Sequence, residues 1–377
     1  MLLIDGHLDL SWNALQWNRD LLRSVYTIRA QEVRVPGKGR ALGTVAFPEM
    51  RRGRMALCLA TVLARSTGVP VAHIDYATPM QAYGIAQGQL AYYRALEEAG
   101  SVRIISDAQG LARQMDAWQA WDMAHPQDAL HPQDAPHPQD ALHLPEQADT
   151  PPLGFVISME GADCILAPGQ LPAWWQAGLR VLGITHYGAG RYAGGTSTDL
   201  GLTDLGVALL AEMERLGMIL DITHCSDPSF WQALERFQGP VLASHNNCRA
   251  LVPHQRQFSD EQLRALFQRG GVIGAACDCW MLKPGWLDGA SNASVSLADV
   301  SEHIDYVCQL AGNSRHAAIG SDLDGGYGRE QSPHDLDTIA DLQKLAPLLA
   351  GRGYAQADIA AIMYGNWVRL LGGAWAR

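Results

Sequence analysis

The chain has 377 residues, 47% of them hydrophobic, and a formal net charge of −11 from 28 basic and 39 acidic side chains. This length allows one large domain or two smaller ones, and the apolar fraction suits a globular protein with a sizeable core. An acidic chain without a Lys/Arg cluster argues against phosphate-backbone binding, so nucleic acid is excluded as a first hypothesis.

The first residues and the cysteines bear on location. The start, MLLIDGHLDL, lacks a basic leader and a long apolar run, so we expect no signal peptide. No apolar stretch reaches ~18 residues, so we expect no membrane span. The seven cysteines are scattered and odd in number, which favours reduced thiols and a cytoplasmic protein.

Short apolar, β-branched runs alternate along the chain with longer amphipathic segments, which is typical of βα units and a parallel sheet. Eight runs are predicted strands: 2–9, 55–64, 154–160, 181–186, 218–224, 240–245, 272–277 and 317–322. A further run at 102–107 is a candidate edge strand. This pattern favours an α/β fold of the (β/α)8 TIM-barrel type, although periodicity alone leaves a doubly wound sheet open.

Three predicted helices carry signals at their ends. Segment 202–217 places apolar residues on one face and should end at Gly217, the residue type that tolerates a left-handed cap. Ser259 and Gln262 have the spacing of a capping box. Asp227 resembles the N-cap of the helix that follows it.

Residues from about 116 to 150 interrupt the pattern. A six-residue unit beginning with His-Pro is repeated three times from His125 onward, with almost no large apolar residues around it. Such a stretch buries too little surface to offset its ordering entropy, and its prolines prevent a helix that would pair the histidines. We expect one barrel domain over 1–377 with a flexible His/Pro-rich, low-complexity insertion at about 116–150. Adventitious metal binding by the repeat is the alternative.

Six of the eight predicted strands end in His, Asp or Glu: His7 and Asp9, Glu160, His186, His224, His245, and Asp322. The C-terminal strand ends of such a barrel converge on one mouth, where active sites lie. One histidine at a strand end is more often structural. Three carboxylates and several imidazoles together need a shared partner, and a metal ion is the simplest one.

The spacing also bears on the kind of metal site. Alternate residues of a strand face the same side, so His7 and Asp9 can both point to the barrel axis. Imidazole and carboxylate ligands suit zinc, and an open coordination position is typical of catalysis. Five candidate ligands exceed the needs of one zinc ion, which favours two ions ~3.5–4 Å apart under a bridging carboxylate. Glu160 is the natural bridge because its side chain is long and its strand is separate.

Several motifs extend along nearly the whole chain outside the insertion: DGHLDL, SMEGA, GITH, LTDLGVALLAEMERLGMILDITH, ASHNNCRAL, FSDEQLRALFQRGGVIG, EHIDYV, AIGSDLDGG and RGYAQADIAAIMYGNWVRLL. In this order they resemble the renal (membrane) dipeptidase family of binuclear zinc amidohydrolases. The resemblance implies that His7 and Asp9 hold one zinc ion. It implies that His224 and His245 hold the other, and that Glu160 bridges both.

The resemblance further implies a metallohydrolase in which a hydroxide bridging two zinc ions attacks an amide bond. Asp322 would carry the proton from the nucleophile to the leaving amine, and His186 would polarise the scissile carbonyl. Arg249, four residues after His245, would bind the terminal carboxylate of the substrate through its guanidinium fork. Asp322, His186 and Arg249 are thus the expected substrate-binding residues.

Two segments depart from the family's usual runs and leave the substrate open. After GITH the chain reads YGAGRYAGGTS, and after GGVIG it reads AACDCWML, which makes Asp278 and Trp280 candidate pocket residues. The first hypothesis is a dipeptidase for L-Xaa-D-Xaa dipeptides. The alternatives are a related hydrolase of N-acyl amino acids or another small amide or lactone, and a non-catalytic metal-binding barrel, against which the retained ligands argue. A homodimer is expected by analogy with the family.

Overall fold

The computed structural model describes residues 1–68, 71–126 and 149–376. Its strands, in chain order, are β1 (Leu3–Leu8), β2 (Met55–Val62), β3 (Val102–Ile104), β4 (Leu153–Met159), β5 (Leu179–Gly183), β6 (Ile219–Asp221), β7 (Val241–Leu242), β8 (Ile273–Ala275) and β9 (Ala317–Ile319). Each predicted strand is present, all but β4 are shorter than the predicted run, and the candidate edge strand is β3.

The strands pair in parallel in the order β7-β6-β5-β4-β2-β1-β9-β8, and β3 pairs with the first residues of β4, Leu153 to Phe155. The two ends of this order meet, because Ala243 forms a bridge with Ile273 and its N–H donates to the carbonyl of Val272 at 2.9 Å. The strands therefore enclose a (β/α)8 barrel. The prediction of a TIM-type fold is confirmed, and the doubly wound sheet is excluded.

Small residues allow the last strands to approach one another closely. A Cβ on Gly274 would lie 2.8 Å from the Cα of Gly320, and both glycines lie directly against the carbonyl oxygen of Ser244. A larger side chain at either position would push β8 and β9 away from β7. Interior packing at this density leaves no room for such a shift, so these glycines are needed for barrel closure.

Helices surround the barrel. In chain order they are α1 (Leu10–Leu15), α2 (Val25–Glu32), α3 (Phe47–Arg52), α4 (Pro79–Glu98), α5 (Ala108–Ala124), α6 (Leu171–Gln176), α7 (Asp204–Leu216), α8 (Asp227–Arg236), α9 (Asp260–Gln268), α10 (Cys279–Leu282), α11 (Leu297–Ala311), α12 (Leu345–Gly351), α13 (Gln356–Ala360) and α14 (Asn366–Trp375). Short 3₁₀ segments lie at Pro168–Gln170, Arg329–Gln331 and Ile339–Lys344, and a π turn at Ala361–Gly365 joins α13 to α14. Across the described ranges, no helix is both long and apolar enough to cross a membrane.

Two of the three predicted helix ends are confirmed. Helix α7 ends at Gly217, whose φ of 73° is left-handed, and α9 begins with the complete capping box of Ser259 and Gln262. The N-cap of α8 is Ser226 rather than Asp227, since the Ser226 side chain accepts the N–H of Ser229. Asp227 is already the first helical residue, and its carboxylate is used elsewhere.

Helix α5 extends beyond the expected start of the insertion. It includes residue 116 and ends at Ala124. Trp118 and Trp121 on this helix are buried, so this part of the chain contributes to the core. The predicted start of the insertion near residue 116 therefore lies inside a folded helix. Residues 127–148, which contain most of the repeat, lie outside the described residues.

Candidate metal centre

The acidic and imidazole side chains predicted at the strand ends do converge at the carboxyl ends of the barrel strands. His7 lies in β1, and the others follow strands: Asp9 after β1, Glu160 after β4, His186 after β5, His224 after β6, His245 after β7 and Asp322 after β9. Parallel strands bring all these ends to one mouth of the barrel, which explains how residues from six strands meet.

Glu160 lies between two groups of ligand atoms. Its Oε1 is 3.1 Å from Nε2 of His224 and 3.3 Å from Nε2 of His245. Its Oε2 faces the other way and lies 3.7 Å from Nε2 of His7. One oxygen of the carboxylate thus faces His224 and His245 and the other faces His7, which is the arrangement of a bridging carboxylate.

His7 and its neighbours form the second group. Nε2 of His7 is 3.6 Å from Oδ2 of Asp9 and 3.8 Å from Oδ1 of Asp322. Within the described residues, Nε2 of His7 and Oδ1 of Asp9 are buried and lack hydrogen-bond partners. Unpaired buried polar atoms are costly, and a divalent cation between imidazole and carboxylate ligands would satisfy both. These residues therefore fit a metal ion.

Three histidines of this cluster have a hydroxyl at Nδ1. The pairs are His7 with Thr61 at 3.4 Å, His224 with Thr196 at 3.0 Å, and His245 with Ser244 at 2.9 Å. A hydroxyl oxygen can accept a hydrogen bond from Nδ1–H, and in that tautomer the lone pair of Nε2 is free for a cation. The surroundings of each ring thus suit a neutral imidazole that binds metal through Nε2.

The buried carboxylate of Asp5 links the strand that carries His7 to the loop that carries Asp322. Oδ1 of Asp5 accepts the N–H groups of His7, at 3.0 Å, and Ser321, at 2.8 Å.

Two of the site residues have left-handed backbone. The φ of His224 is 64° and that of Asp322 is 57°. Left-handed backbone at residues other than glycine costs about 1–3 kcal/mol and is concentrated at functional sites. The strained backbone at these two residues is therefore consistent with a functional site.

The buried carboxylates of the cluster have strongly shifted pKa values. Burial raises the pKa of Glu160 to about 7, and burial also raises the pKa of Asp322 well above its usual range. Burial acts to lower the pKa of His7, but Glu160 and Asp9 outweigh it and raise that pKa to about 10. Carboxylates this close in a site with little water compete for protons. A divalent cation would keep all of them ionised.

A cavity of about 400 Å³ opens onto this cluster, a suitable size for a small ligand. Its walls include Asp278 and Trp280, the candidates from the sequence, together with Trp12, Arg65, Tyr187 and Arg256. Arg256 is buried, and its Nη2 donates to the carbonyl of His245 at 2.9 Å. Its Nη1 lacks a hydrogen-bond partner among the described residues. A guanidinium with an unused donor on a cavity wall is a ready anion-binding group.

Arg249, the residue expected to bind the substrate carboxylate, lies elsewhere. Its Nη1 and Nη2 donate to the carboxylate of Asp227 at 2.9 and 2.7 Å, and its Nε donates to the carbonyl of Gln257 at 2.8 Å. The guanidinium is therefore used in holding α8 to the loop after β7. The structure brings Arg256, eleven positions beyond His245, to the cavity instead. Sequence spacing gives no signal for this, because the loop between them has no regular period.

The glycine-rich run after His186 packs closely against the site. Tyr187 pairs with Thr196, and Gly195 pairs with Cys225, so the loop folds back over the end of β6. A Cβ on Gly195 would overlap the carbonyl oxygen of His186. The glycines therefore allow the close approach that places Thr196 beside His224.

Asp278 gives a test of the cavity's electrostatics in metal-free protein. Burial raises the pKa of Asp278 from 3.8 to about 7, with hydrogen bonds from Gln331 opposing the shift. The folded state therefore holds this proton more tightly than the unfolded chain. The contribution to stability is present below about pH 4 and is lost as pH rises through about 7. Asp278→Asn should thus become more stable relative to wild type as pH rises, by up to about 4 kcal/mol.

Unfolding of both metal-free proteins by denaturant at pH 5 and pH 8 measures this difference. A difference in the free energy of unfolding that is the same at both pH values would contradict the expected titration of Asp278.

The fold and the site together define a class: a (β/α)8 barrel with a cluster of histidines and carboxylates for metal at the carboxyl-end mouth. The family model for membrane dipeptidases, peptidase family M19, matches residues 1–375. The chain belongs to this family of metallopeptidases.

The chain is also similar to individual proteins. An uncharacterized protein in the pqqA 5′ region of Klebsiella pneumoniae is 32% identical over 232 residues, which are 59% of this chain and 83% of that protein. Dipeptidase aclJ of Aspergillus oryzae is 32% identical over 206 residues, 54% of this chain and 47% of that protein, so the match spans about half of its length. A metallopeptidase from Rhodobacter sphaeroides, solved with a phosphinate mimic of the dipeptide L-Ala-D-Ala, has the same fold. Its TM-score is 0.71 at 22% identity over 100% of this chain and 99% of that one.

Proposed function

We propose that this protein is a zinc-dependent dipeptidase that hydrolyses the amide bond of small dipeptides, with L-Xaa-D-Xaa substrates as the first choice. The observation that carries the proposal is the position of Glu160 in the cavity lining, with one oxygen facing His224 and His245 and the other facing His7. Membership of a dipeptidase family supports the reaction class.

In this proposal His7 and Asp9 would hold one zinc ion, His224 and His245 would hold the other, and Glu160 would serve both. The donor set supports it, since the ligand atoms of Glu160, His224 and His245 lie within 4.8 Å of one another, and so do those of His7, Asp9 and Glu160. When bound, zinc supplies a nucleophile at neutral pH by lowering the pKa of water to ~7, and it polarises a carbonyl.

We assign proton transfer to Asp322 and hydrogen-bond donation to His186. Oδ1 of Asp322 lies 3.8 Å from Nε2 of His7, at the edge of the cluster and on the cavity wall. From this position its carboxylate can take a proton from the nucleophile and pass it to the leaving amine. His186, which also lines the cavity, can donate a hydrogen bond to the scissile carbonyl oxygen.

Arg256 is the residue that we propose for the substrate's terminal carboxylate. It is buried on the cavity wall and has an unused donor in the described structure, whereas Arg249 is paired with Asp227. The cavity therefore offers a binding group for one end of a free dipeptide and a metal site for its amide.

We also propose a cytoplasmic location. All seven cysteines lie in the described part of the chain, and they are free and buried there. A reducing compartment maintains this state. The homodimer stays a prediction that rests on the family resemblance.

Turnover of free dipeptides tests the function. Zinc-loaded protein should hydrolyse members of a library of L-Xaa-L-Xaa and L-Xaa-D-Xaa dipeptides that includes L-Ala-D-Ala. Asp322→Asn should keep its metal and lose about 10²–10⁴-fold in rate, because the proton carrier is removed. Asparagine tolerates the left-handed backbone at this position, with φ of 57°, so the variant should fold normally.

N-acyl amino acids and small lactones should be assayed in parallel, since they distinguish the related amidohydrolase. Protein that binds two zinc ions per chain but hydrolyses only those compounds would contradict the dipeptidase assignment.

A further inference from the structure

His186 differs from the other histidines of the site in what its Nδ1 contacts. Nη1 of Arg65 lies 3.1 Å from this nitrogen. Arg65 follows β2 and is buried, and its Nε donates to Oδ2 of Asp75 at 2.9 Å. The N–H of Thr67 donates to the other oxygen of Asp75 at 3.0 Å. The guanidinium is thus held on one side by a carboxylate and meets the imidazole on the other.

This contact determines the tautomer of His186. A guanidinium remains protonated at any accessible pH and can only donate hydrogen bonds. Nδ1 of His186 must therefore be the acceptor, so it carries no proton. The neutral ring then carries its proton on Nε2. The hydroxyls beside His7, His224 and His245 allow the opposite tautomer, which leaves their Nε2 atoms free for metal.

The protonated nitrogen faces the reaction centre. Nε2 of His186 lies 3.7 Å from Oε1 of Glu160, and the residue lines the cavity. An Nε2–H group has no free lone pair for a cation, so His186 is unsuited to binding metal through this atom. It is suited to donating a hydrogen bond to an oxygen that develops negative charge beside the cluster.

We propose that Arg65 is a positioning residue for the reaction: it holds His186 as the Nε2–H tautomer, ready to donate to the scissile carbonyl, and Asp75 holds Arg65 in place. The catalytic part rests on the proposed dipeptidase function. The tautomer itself does not, so the two can be tested separately.

Nitrogen NMR of metal-free protein labelled with ¹⁵N-histidine tests the tautomer without any substrate. His186, assigned by its loss in His186→Ala, should show a protonated Nε2 and an unprotonated Nδ1. In Arg65→Met this pure signature should change to a mixture of tautomers or to the opposite one. A protonated Nδ1 in wild type, or an unchanged signature in Arg65→Met, would overturn the proposal.

Kinetics of the zinc-loaded protein test the consequence. Arg65→Met should lower kcat about 10- to 100-fold with a much smaller change in KM, because the lost interaction acts on the transition state. In a His186→Ala background the same substitution should cause almost no further loss. Arg65→Lys, which keeps a donor, should retain more activity than Arg65→Met.

A matched control is Arg29→Met, which removes a similar Arg–Asp pair, to Asp337 at 3.0 Å, away from the cavity. It should leave kcat unchanged. An equal loss from Arg65→Met with and without His186 would show a general structural effect and overturn the positioning role. Absence of turnover in wild type would instead refute the dipeptidase function, while the NMR result would still decide the tautomer.

Discussion

Replacement of Glu160 by glutamine is expected to remove nearly all activity and at least one of the two metal ions that we propose for the site. Glutamine keeps the volume of the side chain but has one neutral oxygen acceptor, whereas Glu160 presents one oxygen to His224 and His245 and the other to His7. The variant cannot bridge two cations or neutralise their charge. We expect kcat/KM to fall by at least about 10³-fold, since most of the nucleophile activation depends on the metal.

Metal analysis after dialysis, together with dipeptide hydrolysis, measures both effects. Glu49→Gln is the matched control, because Glu49 is also a buried glutamate with a raised pKa from burial but lies on α3, where it accepts the N–H of Val25. That variant should bind metal and turn over normally. Two tightly bound metal ions in Glu160→Gln would show that the bridge lies elsewhere.

The barrel and the residues at its mouth could be predicted from the sequence for one physical reason. Strands buried on both faces appear as continuous apolar runs, and the residue at the end of each run necessarily lies at the same edge of a parallel sheet. His224 and His245 both follow such runs, so their convergence needed only the order of the strands.

The groups that complete the site could not be predicted in this way. Thr61 supports His7 from 54 positions away, and Arg65 reaches His186 across 121 positions, so only the folded chain brings each pair together. Periodicity describes which face of an element is buried. It carries no information on which loop residue meets which ligand.

Helix α5 shows a related limit. The polar, Pro-rich composition predicts an insertion that begins near residue 116. Trp118 and Trp121 of this segment are nevertheless buried in the core. Two large aromatic side chains at helical spacing bury enough surface to order a segment that is otherwise polar. Composition averaged over a long window conceals such a pair.

The choice between Arg249 and Arg256 has the largest consequence for substrate recognition. We expect Arg256→Met to lower kcat/KM for free dipeptides by about 30- to 1,000-fold, mainly through KM, because truncation of one partner of a buried charge pair costs about 2–4 kcal/mol. Wild type should prefer free dipeptides to their C-terminal amides. This preference should nearly disappear in the variant, since the carboxylate would have lost its partner.

Arg249→Met provides the comparison, because it removes an equally charged side chain whose guanidinium is bound to Asp227. This variant should lose some stability, as α8 loses a contact, while its preference for a free carboxylate should match that of wild type. The opposite pattern would contradict the assignment from geometry and return the role to the residue that the family resemblance suggested. The distinction matters because a carboxylate anchor sets the distance from the substrate's terminus to its scissile amide. An anchor at Arg256, in the same cavity as Glu160, would favour short substrates, as the proposed dipeptidase function requires.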